Sequence, residues 1–204
     1  MKNLNNEDQK QFLDPLINEI KSITPNKDDQ ARIAISLVQN INYDKASLTS
    51  GITTNKYPYE VLYTDCGVCE EKSELLAYLL RGLGYEVVIF TFKAEQHAAI
   101  GIKCPQKYSY RDTGYCFVET DRPSILTDSS GEYFGAGNVA IGKLTSMPTV
   151  LKICDGNSFD SVSEEYNDAI TYNHIIGTGN KVLSQSDYEK WKWLTSKYGL
   201  NADN

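Results

Sequence analysis

The sequence lacks an apolar run long enough to cross a bilayer, and it has few basic residues. A membrane-spanning helix needs roughly 18 consecutive apolar residues, and no segment of the 204-residue chain approaches that length. Lys and Arg number 20 against 27 Asp and Glu, a formal charge of −7. Nucleic acids and anionic membrane surfaces attract proteins in which basic residues outnumber acidic ones. We therefore expect no nucleic acid and no membrane as partner.

Cysteine and histidine are also scarce. The five cysteines cannot all pair within the chain, and the two histidines leave few candidates for a general base. An odd cysteine count in a chain of this size favours a reducing compartment, with thiols kept for chemistry or packing. The segment Met1 to Gln11 is polar and carries no apolar signal sequence. Together these features predict a cytoplasmic protein.

Hydrophobic periodicity predicts the elements of the first 125 residues. Three helices are expected: residues 7–23, a second from about Lys27, and 69–83. Three segments rich in β-branched and aromatic residues predict strands: 85–92, 97–103 and 115–120. Residues 44–58, rich in Ser, Thr, Asn and Gly, predict a loop. The order helix, strand, strand, strand predicts an α+β fold in which one helix packs on an antiparallel sheet.

The pattern is weaker beyond Pro123. Short strands are expected near 139–141 and over 150–154, and helices over 163–176 and 186–198. We interpret residues 1–125 as a core with N-terminal helices, and residues 126–204 as a C-terminal extension packed on the same domain.

The segment DCGVCEEKS, from Asp65 to Ser73, combines the features of a cysteine nucleophile. Cys69 begins a predicted helix, where unpaired N–H groups and the helix dipole favour a thiolate and can hold a developing oxyanion. Gly67 permits a sharp turn into that helix. Glu70 and Glu71 oppose a thiolate, so a nearby cation is required, and histidine is the natural source.

His97 begins the second strand predicted after that helix, in the run QHAAIGI. Strand alternation places Ala99 and Gly101 on the face of His97, and their small size leaves room over the imidazole for a helix end and a substrate. Glu119 and Asp121 share one face of the following strand. A carboxylate there would orient the ring and stabilise its charge. The chain order is then cysteine, histidine, acid.

These segments resemble a known family. The runs YPYEVLYTDCGVCEEKSELLAYLLRGLGYEV, HAAIGI and YCFVETDRP are similar to the transglutaminase-like superfamily of papain-type cysteine enzymes, over roughly residues 28–125. Its members show Gly-x-Cys at the start of a Leu-rich helix, His-Ala on a strand, and an acid on the next strand. The resemblance implies a papain-like fold with the nucleophile helix on an antiparallel sheet. It implies Cys69 as nucleophile, His97 as general base and Glu119 as orienting acid.

The chain departs from the family pattern at two places. Much of the superfamily has Asp followed by Pro-Thr, which makes Asp121 a rival to Glu119; we favour Glu119 because FVET matches a bacterial and archaeal variant of the motif. The usual His-Ala-Trp is His-Ala-Ala, which removes a bulky aromatic. A second oxyanion donor would lie upstream, and Tyr57 and Tyr59 are candidates.

The sequence thus predicts cysteine-dependent acyl chemistry on an amide bond, with a peptide or protein as substrate and no metal or organic cofactor. Hydrolysis by a peptidase or amidase with a Cys-His-Glu triad is preferred. The alternatives are protein-glutamine transamidation, a catalytically silent binding module on the same fold, and a dithiol redox protein that uses Cys66 and Cys69. A zinc site is disfavoured because Cys104, Cys116 and Cys154 are scattered along the chain.

Overall fold

The computed structural model describes residues 3–50, 55–131, 133–134, 141–177 and 182–200. The α-helices in these ranges are α1 (Lys10–Ile23), α2 (Lys27–Gln39), α3 (Lys45–Ser50), α4 (Pro58–Thr64), α5 (Cys69–Leu83), α6 (Ser163–Ile176) and α7 (Gln185–Tyr198). The strands are β1 (Asn42–Tyr43), β2 (Cys66–Gly67), β3 (Val87–Phe92), β4 (His97–Lys103), β5 (Tyr115–Val118), β6 (Tyr133–Phe134), β7 (Ile141–Gly142) and β8 (Thr149–Cys154). No helix of the described residues is long and apolar enough to cross a membrane.

Helix α5 is the central element of the core. It spans the predicted residues, and its leucine side chains are all buried: Leu75, Leu76, Leu79, Leu80 and Leu83. The helix ends at Gly84, whose φ of 94° lies in the left-handed region that glycine enters without strain. Helices α1, α2 and α4 pack around α5. The Leu-rich run therefore forms a helix that is buried on most of its circumference.

The main sheet has four strands in the order β5-β4-β3-β8, and every neighbouring pair is antiparallel. Ile89, Ile100 and Val118 point from this sheet into the same core cluster as the leucines of α5. This arrangement confirms the α+β fold with a nucleophile helix on an antiparallel sheet. The predicted strand over 150–154 is the edge strand β8, which brings the C-terminal part of the chain into the sheet.

The opposite face of the sheet is filled by aromatic rings. Phe90, Phe92 and Phe117 pack there with Ala99. A Cβ on Gly101 would stand 2.5 Å from Val88 and 2.7 Å from the Phe90 ring. The small residues after His97 therefore make room for these side chains, and the expectation that they leave space for a helix end and a substrate was wrong.

Two boundaries differ from the sequence prediction. The predicted loop 44–58 contains the short helix α3 and the start of α4, with residues 51–54 outside the described part. Helix α4 starts there because Pro58 suits a first helical position and the Glu60 carboxylate accepts the N–H of Tyr57 at 2.8 Å. The strand expected near 139–141 is described only from Ile141 onward, in β7.

A disulfide joins Cys104, just after β4, to Cys116 in β5. The odd cysteine count predicted thiols kept for chemistry or packing, and the pairing of these two cysteines corrects that expectation for Cys104 and Cys116. They are 12 residues apart in sequence, but the antiparallel pairing of β4 and β5 brings their Cα atoms to 5.7 Å. Cys66, Cys69 and Cys154 are free.

Candidate active site

Cys69 is the first residue of α5 and is held there by a capped turn. The carboxylate of Glu71 accepts the N–H of Val68 at 3.1 Å and the N–H of Lys56 at 2.8 Å. Glu71 therefore binds backbone donors of the turn, while Glu70 is exposed to solvent. Cys69 is buried, with 5% of its surface exposed.

His97 and Glu119 form a buried pair at one end of the β4–β5 hairpin. The Nε2 atom of His97 lies 3.0 Å from Oε2 of Glu119, and both side chains are fully buried. The other oxygen of Glu119 accepts the N–H groups of Thr120 at 2.8 Å and Asp121 at 2.9 Å. These bonds turn the backbone out of the ladder after Val118, so β5 ends two residues earlier than predicted and Glu119 lies beyond the strand.

The thiol of Cys69 interacts with the imidazole of His97 and is one of the groups that raise its pKa. Glu119 occupies Nε2, which leaves Nδ1 as the nitrogen open to the sulfur. The structure thus brings together the three side chains singled out in the sequence: Cys69, His97 and Glu119. A thiol and a carboxylate that both act on one imidazole are the groups that nucleophilic catalysis by cysteine requires.

Asp121 approaches the Nδ1 atom of His97, whereas Glu119 bonds Nε2. Its Oδ2 is 3.7 Å from His97 Nδ1, and its side chain is 8% exposed. Neither carboxylate oxygen has a hydrogen-bond donor among the described residues. Burial and the negative charge of Glu119 raise the pKa of Asp121 to about 8, against the opposing charges of His97 and Lys72. Asp121 is therefore largely neutral near pH 7.

The charges around the imidazole favour its protonated form. Burial alone would lower the pKa of His97, but the Glu119 charge, the contact with Cys69 and Asp121 raise it to about 11. Burial would raise the pKa of Glu119, yet the His97 charge and the two backbone N–H bonds keep it lowered. The pair is thus an imidazolium and a carboxylate, and the imidazolium faces the thiol.

Lys72, which no sequence pattern singled out, is completely buried. Its ammonium donates to the carbonyl of Ile41 at 2.6 Å and to that of Asp121 at 3.1 Å. Burial lowers its pKa to about 8, although Asp121 and Glu119 act in the opposite direction. Lys72 lies one helical turn after Cys69, so it ties the nucleophile helix to the segment that carries both acids.

Further bonds hold the acid-bearing segment in place. The Gln39 amide donates to the carbonyl of Glu119 at 3.0 Å and to that of Ser124 at 3.1 Å. Ser73 and Thr120 share a hydroxyl–hydroxyl bond of 3.2 Å. Buried polar side chains on α2 and α5 thus fix the position of Glu119, and their only sequence signal is a polar residue on an otherwise apolar helix face.

Tyr43 is an upstream tyrosine that the sequence did not single out. Its hydroxyl is buried, and burial together with the charges of Asp121 and Cys69 holds its pKa well above its usual range. Tyr57 stacks on Tyr59 at 6.0 Å, and Tyr59 stacks on Phe12 of α1 at 5.2 Å. Of the two sequence candidates for an oxyanion donor, Tyr59 therefore packs on the N-terminal helix and Tyr57 packs on Tyr59.

Cys66 is a free thiol three residues before Cys69. Burial, with the charge of Asp44 as the next cause, raises its pKa. A raised pKa reduces the fraction of reactive thiolate, which makes Cys66 a poor partner for dithiol exchange near neutral pH.

Three side chains of the site offer atoms close enough to hold a metal ion. Ligand atoms of His97, Glu119 and Asp121 all lie within 4.8 Å of one another. The Glu119 carboxylate already bonds His97 and two backbone N–H groups, and the Lys72 ammonium is bonded to the carbonyl of Asp121. These bonds engage the ligand atoms of His97 and Glu119, whereas the carboxylate of Asp121 accepts no hydrogen bond among the described residues.

Comparison with known proteins agrees with this geometry. The chain matches the transglutaminase-like superfamily over residues 14–121, which is more than half of its 204 residues and includes Cys69, His97 and Glu119. No curated protein matches it significantly. The fold and the match together define a papain-like domain of the kind found in cysteine enzymes. The chain belongs to the transglutaminase-like superfamily.

Proposed function

We propose that the protein is a cysteine hydrolase that cleaves an amide bond of a peptide or protein. The observation that carries the proposal is the buried imidazole of His97, which has Glu119 on Nε2 at 3.0 Å and interacts with the Cys69 thiol. An imidazolium held in this way stabilises a thiolate and stands ready to protonate a leaving group.

The reaction has two halves. The Cys69 sulfur attacks the carbonyl carbon and the carbonyl π electrons move to oxygen, giving a tetrahedral oxyanion beside the N–H of Cys69. The oxyanion collapses, the C–N bond breaks, and His97 Nδ1–H transfers its proton to the leaving nitrogen. The thioester is then attacked by water, which His97 deprotonates, and collapse of the second tetrahedral species expels the thiolate. Glu119 keeps the ring oriented throughout and stabilises its charged form before the leaving group is protonated and again after water is deprotonated.

Alkylation of Cys69 tests the first half without knowledge of the substrate. Iodoacetamide labelling from pH 5 to 9, read site by site by mass spectrometry, should show Cys69 reacting at least tenfold faster near pH 6 than Cys66 and Cys154, the other free thiols. Replacement of His97 alone would leave Glu119 as an unpaired buried charge. The His97→Gln, Glu119→Gln double variant avoids this and should return Cys69 to the rate of the two reference thiols. Equal rates in the double variant and the natural protein would support a silent binding module.

The fate of the thioester decides between hydrolysis and transamidation. After acetylation by p-nitrophenyl acetate, the acetyl group on Cys69 should be lost to water at a rate that added primary amine does not change. A rate that rises in proportion to the amine, with acetylated amine as product, would favour transamidation. Formation of a Cys66–Cys69 disulfide in mild oxidant, in place of selective alkylation, would favour the redox alternative.

The cytoplasmic location and the absence of nucleic-acid and membrane partners stay predictions. The Cys104–Cys116 disulfide is the observation against the cytoplasm, because structural disulfides persist mainly in oxidising compartments. The intact mass of the protein isolated from its own cells, with free thiols blocked at lysis, tests this. A mass that includes the disulfide would argue for an exported protein, and five blocked cysteines would argue for the cytoplasm.

A further inference from the structure

The cavity between α2, α6 and α7 takes no part in the proposed hydrolysis. It has a volume of about 620 Å³ and is lined by side chains of all three helices. Sites for small molecules usually enclose about 300–1,000 Å³. Ile35 and Leu126 give the cavity apolar surface, and Cys69, His97 and Glu119 are not among its lining residues. The cavity is therefore a candidate second binding site.

The cations that line this cavity in the described part of the chain are already bound by neighbouring carboxylates. The Arg32 guanidinium donates to Glu165 at 2.5 Å and to Asp29 at 2.9 Å. The Lys197 ammonium donates to Glu164 at 2.6 Å. An anion that entered the cavity would have to displace these carboxylates and would be repelled by them, so the cavity does not suit an anionic ligand.

The same carboxylates have spare hydrogen-bonding capacity. Each uses one oxygen for its ion pair, and the second oxygen accepts no hydrogen bond from the described residues: Asp29, Glu164 and Glu165. Glu165 is the strongest case, because its side chain is only 7% exposed and its Oε2 atom is buried without a partner. A buried oxygen without a donor is rare and costs stability. The cavity wall therefore lacks a donor at Glu165.

A guanidinium group on an aliphatic stem matches both parts of this lining. It has five N–H donors in a planar fork and no acceptor, so it can serve several carboxylate oxygens at once. Its stem would lie against Ile35 and Leu126. We propose that the cavity binds an organic cation of this kind, whose donors complete the hydrogen bonding of Glu165. The cation is either a free small molecule or the arginine side chain of a peptide, since both carry this chemistry.

Two matched probes distinguish these sources. n-Butylguanidinium carries the cation and its stem alone, and N-acetyl-arginine N-methylamide carries them on a blocked peptide unit. Each is titrated into the whole chain at low ionic strength, and the NMR shifts of the backbone amides give both the dissociation constant and the location. The variants are Glu165→Gln and Ser36→Phe, which adds a ring at a lining position of α2. The matched control is Glu189→Gln on α7, whose exposed side chain does not line the cavity.

We expect at least one probe to bind and to shift the amide signals of the lining residues Ser36 and Gln39. Glu165→Gln and Ser36→Phe should each weaken binding at least about tenfold, and Glu189→Gln should change it less than about twofold. Tighter binding of the blocked arginine would identify a peptide ligand. Equal or tighter binding of n-butylguanidinium would identify a free small cation.

The proposal is overturned if neither probe shifts these signals. It is also overturned if Glu165→Gln or Ser36→Phe, with an NMR spectrum that shows a folded chain, binds as tightly as the natural protein. Ser36→Phe keeps the test decisive if Glu165→Gln fails to fold. Cys69→Ala should bind both probes like the natural protein, so this test is independent of the proposed hydrolase.

Discussion

The two sides of the His97 ring carry the same chemical group in opposite environments. On the Nε2 side, the Glu119 carboxylate accepts three hydrogen bonds, from the imidazole and from the N–H groups of Thr120 and Asp121. On the Nδ1 side, the Asp121 carboxylate lies 3.7 Å away and has no hydrogen-bond donor among the described residues. The pKa of Glu119 is lowered and that of Asp121 is raised to about 8.

The difference shows how hydrogen bonding selects which of two neighbouring acids is charged. Both acids are buried, so desolvation disfavours both anions. Backbone donors and the imidazolium stabilise the anion of Glu119, and its charge then makes ionisation of Asp121 still less favourable. The result is a charged acid behind the ring and a neutral acid on the side of the nucleophile. A second anion beside Cys69 would compete with the thiolate for the imidazolium proton.

Glu119→Gln should have the largest effect on the difference in charge between the two sides of the His97 ring. The amide keeps the shape of the side chain and removes the charge that is the main cause raising the pKa of His97. The imidazolium loses its partner on Nε2, and Asp121, freed from the repulsion of Glu119, ionises on Nδ1. We expect the alkylation rate of Cys69 at pH 6 to fall at least tenfold. Loss of one partner of a buried ion pair should also cost about 3–5 kcal/mol of unfolding free energy.

The double variant Glu119→Gln, Asp121→Asn provides the control. If Asp121 takes over the charge in the single variant, the losses of unfolding free energy will not add, because Asp121 has a compensating role only when Glu119 is gone. Additive losses, together with an unchanged alkylation rate in Glu119→Gln, would contradict the coupling between the two sides.

The Asp121→Asn variant should change stability in a pH-dependent way. The folded pKa of Asp121, about 8, lies above its unfolded value of 3.8. The stability that the neutral acid contributes is therefore fully present below about pH 4 and is lost as the pH rises through 8. Relative to the natural protein, Asp121→Asn should gain up to about 1.4 kcal/mol of unfolding free energy per pH unit between pH 4 and 8, and no more above that.

Urea denaturation at pH 4, 6, 8 and 9 measures this difference. Parallel curves for Asp121→Asn and the natural protein would mean that Asp121 is ionised already near its ordinary pKa.

A smaller effect on reactivity is expected from Lys72→Met. Methionine keeps the volume of the buried chain but leaves the carbonyls of Ile41 and Asp121 without their donor, which should cost about 2–3 kcal/mol. The positive charge of Lys72 opposes the raised pKa of Asp121. Removal of Lys72 should therefore raise the pKa of Asp121 further. In the Lys72→Met background, the stability gain from Asp121→Asn should continue to a higher pH than in the natural protein, while Cys69 alkylation changes only a few-fold. If the gain ends at the same pH in both backgrounds, Lys72 does not belong to the charge network.

The nucleophile helix and the strand of His97 could be predicted from the sequence because each has a strong local pattern. Helix α5 combines a Leu stripe with a glycine stop, and β4 follows the β-branched strand β3 closely in sequence. The match of Cys69, His97 and Glu119 to a family motif then named the three side chains that the structure brings together.

Other features of the site depend on contacts that no local pattern records. Tyr43 is placed near the nucleophile turn by a two-residue parallel pairing of β1 with β2. Lys72 is fully buried, although a lysine side chain is ordinarily exposed to solvent. Asp121 was placed on the face of Glu119 by strand alternation, but β5 ends at Val118 and alternation does not extend past the strand. The Cys104–Cys116 pair depends on the register of β4 against β5, which cysteine counting does not give.

Removal of the disulfide at the far end of the β4–β5 hairpin should have the smallest effect on the site. The Cys104–Cys116 disulfide follows the last residue of β4, whereas His97 is the first, so the two lie about 20 Å apart along the strand. Chain entropy for a loop of this size predicts a loss of about 2–3 kcal/mol of unfolding free energy in the Cys104→Ser, Cys116→Ser variant. The bonds that place Glu119 come from Gln39, Ser73 and its own segment, and none involves the disulfide. Alkylation of Cys69 in this variant, measured below its melting temperature, should therefore stay within about twofold of the natural rate. A tenfold loss would show that the position of Glu119 depends on the covalent link at the other end of β5, and that both sides of the His97 ring are held by the whole hairpin.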